Sequence, residues 1–221
     1  KPKPMVEIGG MPILWHIMKT YSHYGFNEFI ICAGYKQHII KEWFANYFIH
    51  TSDITFDFND GGKMIVHDRR QEPWKVTIID TGLNTMTGGR VKRIKPYIDN
   101  ERFFVTYGDG VSDVNFVKEL EFHKSHGIDN DGNVRQFREK IQGDASPINI
   151  GYMICEPEFI DLIDGDDTVL EKTPMQKAAA MNEIMAYRHE GFWKCMDTVR
   201  EKQQLEKLWS EGNAPWKTWE N

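Results

Sequence analysis

The sequence predicts an α/β fold: three layers, with helices on both faces of a mostly parallel sheet and a small inserted β unit. Three observations carry this. Strand-length apolar runs alternate with helix-period segments through the first half of the chain. Shorter, mixed strands follow in the second half. An apolar run at 103–107 stops at Gly108-Asp109-Gly110, the pattern of a buried strand ending in an acidic turn. Its carboxylate would lie at the carboxyl edge of the sheet, where open α/β folds bind ligands.

The elements follow in order. Residues 12–21 read as a helix: Ile13, Leu14, Ile17, Met18 and Tyr21 share one face, and Pro12 suits a first helical position. Gly25 ends it. A short buried strand at 28–32 leads to a helix at 36–50, with Ile39, Ile40, Trp43, Phe44, Tyr47 and Phe48 as its stripe. Strands 54–58 and 64–66 flank Asn59-Asp60-Gly61-Gly62, a hairpin signal. Strand 76–79 ends at Asp80-Thr81-Gly82, and a polar loop opens helix 87–97. After strand 103–107, Asp113 is placed to cap helix 115–126. Strands are expected at 133–138, 148–155 and 184–187, and helices at 158–163, 174–181 and 198–211.

The chain has 221 residues, 40% of them apolar, and a net charge of −6. The length suits one domain, residues 1–221, with a real core. Mild acidity and the lack of a Lys/Arg block argue against nucleic acid as a partner. Three scattered cysteines (Cys32, Cys155, Cys195) offer neither a zinc spacing nor a disulfide framework, which points to a reducing cytoplasm. No stretch is apolar enough to span a membrane and no signal peptide is present, so no membrane partner is expected. The chain starts without Met in what reads as a loop. After Ile128 it passes straight to Asp129-Asn130-Asp131-Gly132, where a further strand belongs. These are expected to be pieces of a longer protein, with gaps before Lys1 and between Ile128 and Asp129.

Asp109 is the strongest chemical candidate. It is either a metal ligand or a turn aspartate bonding its own backbone. Asp197, before the last helix, is either a second ligand or a helix N-cap. Two carboxylates from distant loops can hold one Mg²⁺ while phosphates complete its shell. Lys3 and Lys140 are the cationic candidates, against the reading of each as a surface lysine. Thr85 to Arg90 offers hydroxyls, open backbone N–H groups and a guanidinium at a helix start, suited to an anion or a base edge, or is an ordinary glycine-rich loop. The histidines show no metal spacing. The tail holding Trp216 and Trp219 either packs on its own domain or forms a subunit interface, to which Phe48, Ile54 and Phe56 would add.

These segments together resemble the sugar-1-phosphate nucleotidyltransferases. KPKPMVEIGGMPILWHIMKTYS is similar to the segment after that family's GGxGTR loop, FFVTYGDGVSD to its metal-aspartate strand and FREK to the strand with its Glu-Lys pair. EPWKVTIIDTG, MTGGR, INIGYMI, GFWKCMDT and APWKTWE resemble the branch that uses CTP and glucose 1-phosphate. The match covers nearly the whole chain. It implies a Rossmann-like α/β/α nucleotidyltransferase fold, Mg²⁺, and formation of CDP-glucose with release of pyrophosphate. It further implies a bacterial cytoplasmic homohexamer that supplies CDP-linked deoxysugars for surface polysaccharide.

By position, the resemblance makes Lys3 the contact to nucleotide phosphates and places Thr85, Arg90 and Gly108 in the nucleotide pocket. It makes Asp109 and Asp197 the metal ligands and assigns Glu139, Lys140 and Asn149 to the sugar phosphate. Lys3 and Lys140 would be catalytic. The family's first strand and GGxGTR loop, and a strand after Ile128, have no counterpart in this sequence, and Ile141 stands where many relatives have proline. Alternatives are the same fold with another nucleotide or sugar (dTDP- or UDP-glucose chemistry), a non-catalytic regulatory homologue, or a glycosyltransferase. The last usually carries Asp-x-Asp at the metal turn.

Overall fold

A computed structural model of the chain describes residues 1–67, 72–125 and 148–220. It opens on a tight 3-10 turn, Lys3–Met5. Strand β1 (Glu7–Ile8) then folds back on β2 (Met11–Pro12) through Gly9 and Gly10, both at positive φ. Helix α1 (Ile13–His23) buries Ile13, Leu14, Ile17, Met18 and Tyr21, the face set by its 3.6-residue period. Gly25 at φ 88° turns the chain out of it.

Strand β3 (Glu28–Ala33) leads to α2 (Gln37–Ala45) and α3 (Tyr47–Thr51). The single helix expected at 36–50 is two. Asn46, at φ −107°, leaves the helix, and its side-chain amide donates back to the Glu42 carbonyl. Strands β4 (Asp53–Asp57) and β5 (Lys63–His67) form the expected hairpin. Strand β6 (Lys75–Asp80) pairs in parallel with β3, Phe29 facing Val76 and Ile31 facing Ile78. Helix α4 (Thr87–Arg93) is shorter than expected because Pro96, which lacks an N–H, converts the following turn into 3-10 geometry.

Strand β7 (Phe103–Thr106) and a short β8 (Gly110–Ser112) flank the Gly-Asp-Gly turn, and α5 (Phe116–Ser125) follows. Strand β9 (Tyr152–Cys155) lies antiparallel to β7, and a 3-10 helix, Pro157–Leu162, and α6 (Thr173–Ala180) come next. Strand β10 (Trp193–Cys195) pairs antiparallel with β8, and α7 (Val199–Ser210) closes the set. No strand forms over 184–187, where the backbone makes one isolated bridge at Met185. The strand expected at 133–138 and the junction after Ile128 lie outside the described residues.

Packing shows the three layers. Phe29, Ile31, Val76 and Ile78 of β3 and β6 face Leu14, Met18 and Ile40 of α1 and α2. The alternate residues Ile30, Cys32 and Ile79 face the other way, against Val91 of α4, Ile94 and Ile160. Phe103, Val105 and Met153 of β7 and β9 join that second face, while Phe104 and Tyr152 join α1 and α5 on the first. Strand alternation thus feeds two cores from one strand set. Among the described residues the strands pair as five two-stranded ladders, of which β3–β6 is parallel and the rest antiparallel, so the mostly parallel pairing expected from the sequence is not what these residues show.

The aromatic tail corrects the subunit-interface expectation for Trp216 and Trp219. Both are buried within their own chain, against Ile8, Ile13, Ile17 and Leu205. The Trp216 indole N–H donates to His16 Nδ1 at 3.3 Å, which leaves the His16 proton on Nε2 to donate to the Ile8 carbonyl at 2.8 Å. Burial pushes the His16 pKa down to about 4. Below its ordinary value of 6.5 the unfolded chain takes a proton that the native histidine refuses, so its contribution to stability is lost as pH falls from 6.5 towards 4. Glu119, buried without a partner for Oε2, has its pKa raised to about 7 and acts in the opposite direction. The His16 effect is therefore read against a variant. The stability gap between wild type and His16→Gln, measured by urea unfolding, should shrink by up to about 3 kcal/mol between neutral and mildly acid pH. A gap that is constant with pH would contradict this account of the tail.

Candidate active site

The pairing of β8 with β10 brings two distant carboxylates together. Gly110 faces Cys195 in the register, and the Met196 N–H donates to the Asp109 carbonyl at 2.7 Å. Asp109 therefore enters this short ladder where Asp197 leaves it. The Tyr152 hydroxyl donates to the Gly110 carbonyl at 3.0 Å and pins the turn from beneath.

The opening 3-10 turn delivers the third group. A Cβ on Gly108 would stand 2.9 Å from Pro4 Cγ, so glycine lets the Lys3–Pro4 segment lie against the acidic turn. Lys3 Nζ then reaches Asp197 Oδ1 at 2.5 Å and Asp109 Oδ2 at 3.6 Å. The Asp197 hydrogen bond raises the Lys3 pKa, and the same bond, with a further one from Cys195, holds the Asp197 carboxyl below its usual range. Both partners are about half exposed, so the pair adds little stability. Its content is geometric: one cation already sits within reach of both carboxylates. Hard oxygen donors around such a point fit a divalent cation of the Mg²⁺ type, with the ammonium standing in its place.

The competing reading of Asp197 as a helix cap fails. Thr198 caps α7, its hydroxyl accepting from the Glu201 N–H while Glu201 accepts from the Thr198 N–H. Glu201 also accepts from the Asp197 N–H at 2.8 Å. Cys195, Asp197 and Glu201 offer ligand atoms within 4.8 Å of one another. Glu201 is occupied by its donors, so it supports Asp197 rather than competing for a cation.

Sequence reasoning missed a clasp at the far end of the ladder. Asp113 does not cap α5; Asn115 does, accepting from the Lys118 N–H. Asp113 Oδ1 instead accepts from the Phe192 N–H at 2.7 Å and lies 3.0 Å from His189 Nε2. Ser112 Oγ donates to the Phe192 carbonyl at 2.8 Å. Gly191 is needed here, since a Cβ would come within 2.4 Å of Asp113 Oδ1. The local signal was the glycine immediately before an apolar run.

The Thr85–Arg90 segment departs from expectation. Three of its N–H groups are taken: Met86 donates to the Asp166 carbonyl at 2.8 Å, and Gly88 and Gly89 to the Thr168 carbonyl. Arg90 is held internally, Nη1 on Thr81 Oγ1 at 2.7 Å and Nη2 on the Leu83 carbonyl. Thr81 in turn donates to the Ala33 carbonyl, so Arg90 crosses the carboxyl ends of β3 and β6. Thr85 is buried, its hydroxyl close to Gly82. Met5, two residues from Lys3, packs in one cluster with Ala33, so the Lys3 segment borders this edge as well. Asn149 is exposed before β9, beside the end of β7, and accepts from the Gly151 N–H at 2.9 Å. The structure thus joins Lys3, Gly108, Asp109 and Asp197 in one cluster and leaves Thr85, Arg90 and Asn149 along neighbouring strand ends. Glu139 and Lys140 lie outside the described residues.

Solved structures share this architecture. Apo UDP-glucose pyrophosphorylase matches with a TM-score of 0.71 at 13% identity, over 96% of this chain and 91% of that one. HddC from Yersinia pseudotuberculosis matches with a TM-score of 0.67 at 20% identity, over 95% and 90%. The class is that of the α/β/α nucleotidyltransferase fold. No family model matches the chain. Glucose-1-phosphate cytidylyltransferase of Salmonella typhimurium is 52% identical over 238 residues, covering all of this chain and 92% of the relative. That aligned span exceeds the 221 residues here, so the relative carries internal residues that this chain lacks. A probable glucose-1-phosphate cytidylyltransferase of Bacillus subtilis is 37% identical, over 99% and 92%. The chain belongs to the glucose-1-phosphate cytidylyltransferase family.

Proposed function

We propose that this protein transfers a cytidylyl group from CTP to α-D-glucose 1-phosphate, giving CDP-glucose and pyrophosphate. The observation that carries the reading is the convergence of Lys3, Asp109 and Asp197 at one strand edge. The 52% identity to a curated cytidylyltransferase supports it.

In this reaction a sugar-phosphate oxygen attacks the α-phosphorus of CTP in line with the departing pyrophosphate. The nucleophile is already an anion, so the site needs no general base. The difficulty is bringing two polyanions together, and the chain meets it by positioning and charge. Lys3 neutralises nucleotide phosphates. Gly108 gives the nucleotide room beside Lys3, and Thr85 and Arg90, whose polar groups are bonded within the chain, would shape the wall of the nucleotide pocket. Lys140 neutralises the sugar phosphate, and Glu139 and Asn149 are assigned to the same substrate. Asp109 and Asp197 would hold Mg²⁺, which supplies Lewis-acid neutralisation of phosphate charge when bound.

We place the reaction in the bacterial cytoplasm, as a supply of CDP-linked sugar for deoxysugar and surface-polysaccharide synthesis. Supporting the setting, Cys32, Cys155 and Cys195 are all free thiols. Among the described residues no helix is long and apolar enough to cross a membrane.

We also propose a homohexamer. The tail no longer supports it, but the β4–β5 hairpin does. Ile54 and Phe56 pair with Val66 and Met64 on one face, and Phe56 is 50% and Phe58 85% exposed. A two-stranded ribbon is marginal in water alone, and a second subunit would cover this apolar face.

Pyrophosphate release, melting and light scattering check these readings. Pyrophosphate release, crossed over four nucleoside triphosphates and several sugar 1-phosphates, should be highest with CTP and glucose 1-phosphate. Lys3→Ala should lower turnover by about 2–4 kcal/mol of transition-state stabilisation, by analogy with loss of an oxyanion donor, while melting stays near wild type. Preference for another nucleotide overturns the substrate assignment, and full turnover by Lys3→Ala removes that residue from the mechanism. Light scattering at micromolar concentration should give a multiple of the chain mass. A one-chain mass unchanged on dilution rules the oligomer out.

A further inference from the structure

The segment between the 3-10 helix Pro157–Leu162 and α6 has no part in the mechanism above, yet it is sewn to the nucleotide loop. Met86, Gly88 and Gly89 all donate backbone N–H groups to it. A Cβ on Gly88 would lie 2.7 Å from the Thr168 carbonyl oxygen, and one on Gly89 would lie 2.6 Å from that of Asp166. Both glycines therefore serve close approach of two backbones. The Thr85–Arg90 loop is thus backed by a second segment of chain, which ends at Glu171.

The Glu171 carboxylate faces two ways. Its Oε2 accepts from the Thr87 hydroxyl at 3.0 Å, and Thr87 Oγ1 accepts from the Leu170 N–H at 2.9 Å. Its Oε1 accepts from the Tyr107 hydroxyl. Tyr107 follows β7 directly and stands two residues before Asp109. It is fixed on its other sides as well. Its N–H donates to the Gly151 carbonyl at 3.2 Å. Its ring lies where a Cβ on Gly151 would come within 2.5 Å. Both hydroxyls donate to Glu171, so both side chains are oriented by it.

We propose that Glu171 is a positioning residue that couples the nucleotide loop, through Thr87, to the metal-side turn, through Tyr107. The proposal rests on the site assignment above. A nucleotide that seats against the Thr85–Arg90 loop also sets the Asp109 turn, and a cation at that turn favours the seated loop. Small displacements at such a junction are felt strongly in rate and affinity.

The test uses the intact chain, with CTP, glucose 1-phosphate and Mg²⁺. Glu171→Ala should raise both the KM for CTP and the Mg²⁺ half-saturation point by roughly tenfold, while the melting temperature stays close to wild type. Glu171→Gln should recover most of both, because its amide accepts from one hydroxyl and donates to the other. Thr87→Val should raise chiefly the KM for CTP, and Tyr107→Phe chiefly the Mg²⁺ requirement. Neither should add a further loss in the Glu171→Ala background. Unchanged constants in Glu171→Ala overturn the proposal. So does a loss of kcat that only tracks the unfolded fraction, or a Gln variant as impaired as Ala. CTP affinity by calorimetry reads the same coupling without turnover. A wild type that binds CTP and makes no product would thus count against the function, while the calorimetric series still decides the coupling.

Discussion

The rest of the site follows from how the fold holds Asp109 and Asp197 at one end of the β8–β10 ladder. Two carboxylates brought to one cation-sized point invite a positive charge between them. The free protein answers with the Lys3 ammonium, within 3.6 Å of both. That ion pair is too exposed to hold the geometry by itself. Backbone does the holding: the β8–β10 ladder, the Met196–Asp109 hydrogen bond, the Thr198–Glu201 capping box at one end and the Asp113–Phe192 clasp at the other. With the turns held by backbone and the Lys3 pair exposed, one cation can be exchanged for another without rebuilding the site.

The framework beneath is ordinary packing with one aromatic anchor. Alternation along β3, β6, β7 and β9 supplies both faces of the sheet, and α1 carries the first of them. Trp216 closes the structure by docking on His16 of α1, next to the β1–β2 turn that follows the Lys3 segment. The last residues of the chain thereby steady its first ones. Burying an indole of this size is worth about 3–5 kcal/mol by large-to-small substitution, far more than the surface ion pairs.

Much of this was legible in the sequence where the signal is local. The 3.6-residue stripe of α1, the Asn-Asp-Gly-Gly hairpin and the apolar run into Gly-Asp-Gly each carry their own period or turn chemistry, and each formed as expected. What stayed hidden depends on which polar group each side chain bonds, near or far along the chain. The helix at 36–50 breaks because Asn46 finds a backbone carbonyl. The Thr85–Arg90 loop is closed because the 166–171 segment takes three of its N–H groups. Asp197 faces Lys3 rather than the helix N-terminus because its neighbour Thr198 does the capping. The three-residue strands β8 and β10 are too short to show a period, and Asp113, His189 and Glu171 act through bonds spanning some eighty residues or fewer of intervening chain. Such polar links between segments leave no periodic trace.

The central claim is that Asp109 and Asp197 form one cation site for which Lys3 stands in. Anomalous diffraction from crystals grown with Mn²⁺ and CTP tests it most directly. The account predicts a single anomalous peak in contact with oxygens of both aspartates, with the Lys3 ammonium moved off Asp197 onto phosphate oxygens. A peak elsewhere, or an intact Lys3–Asp197 pair with no ion between the carboxylates, would contradict it.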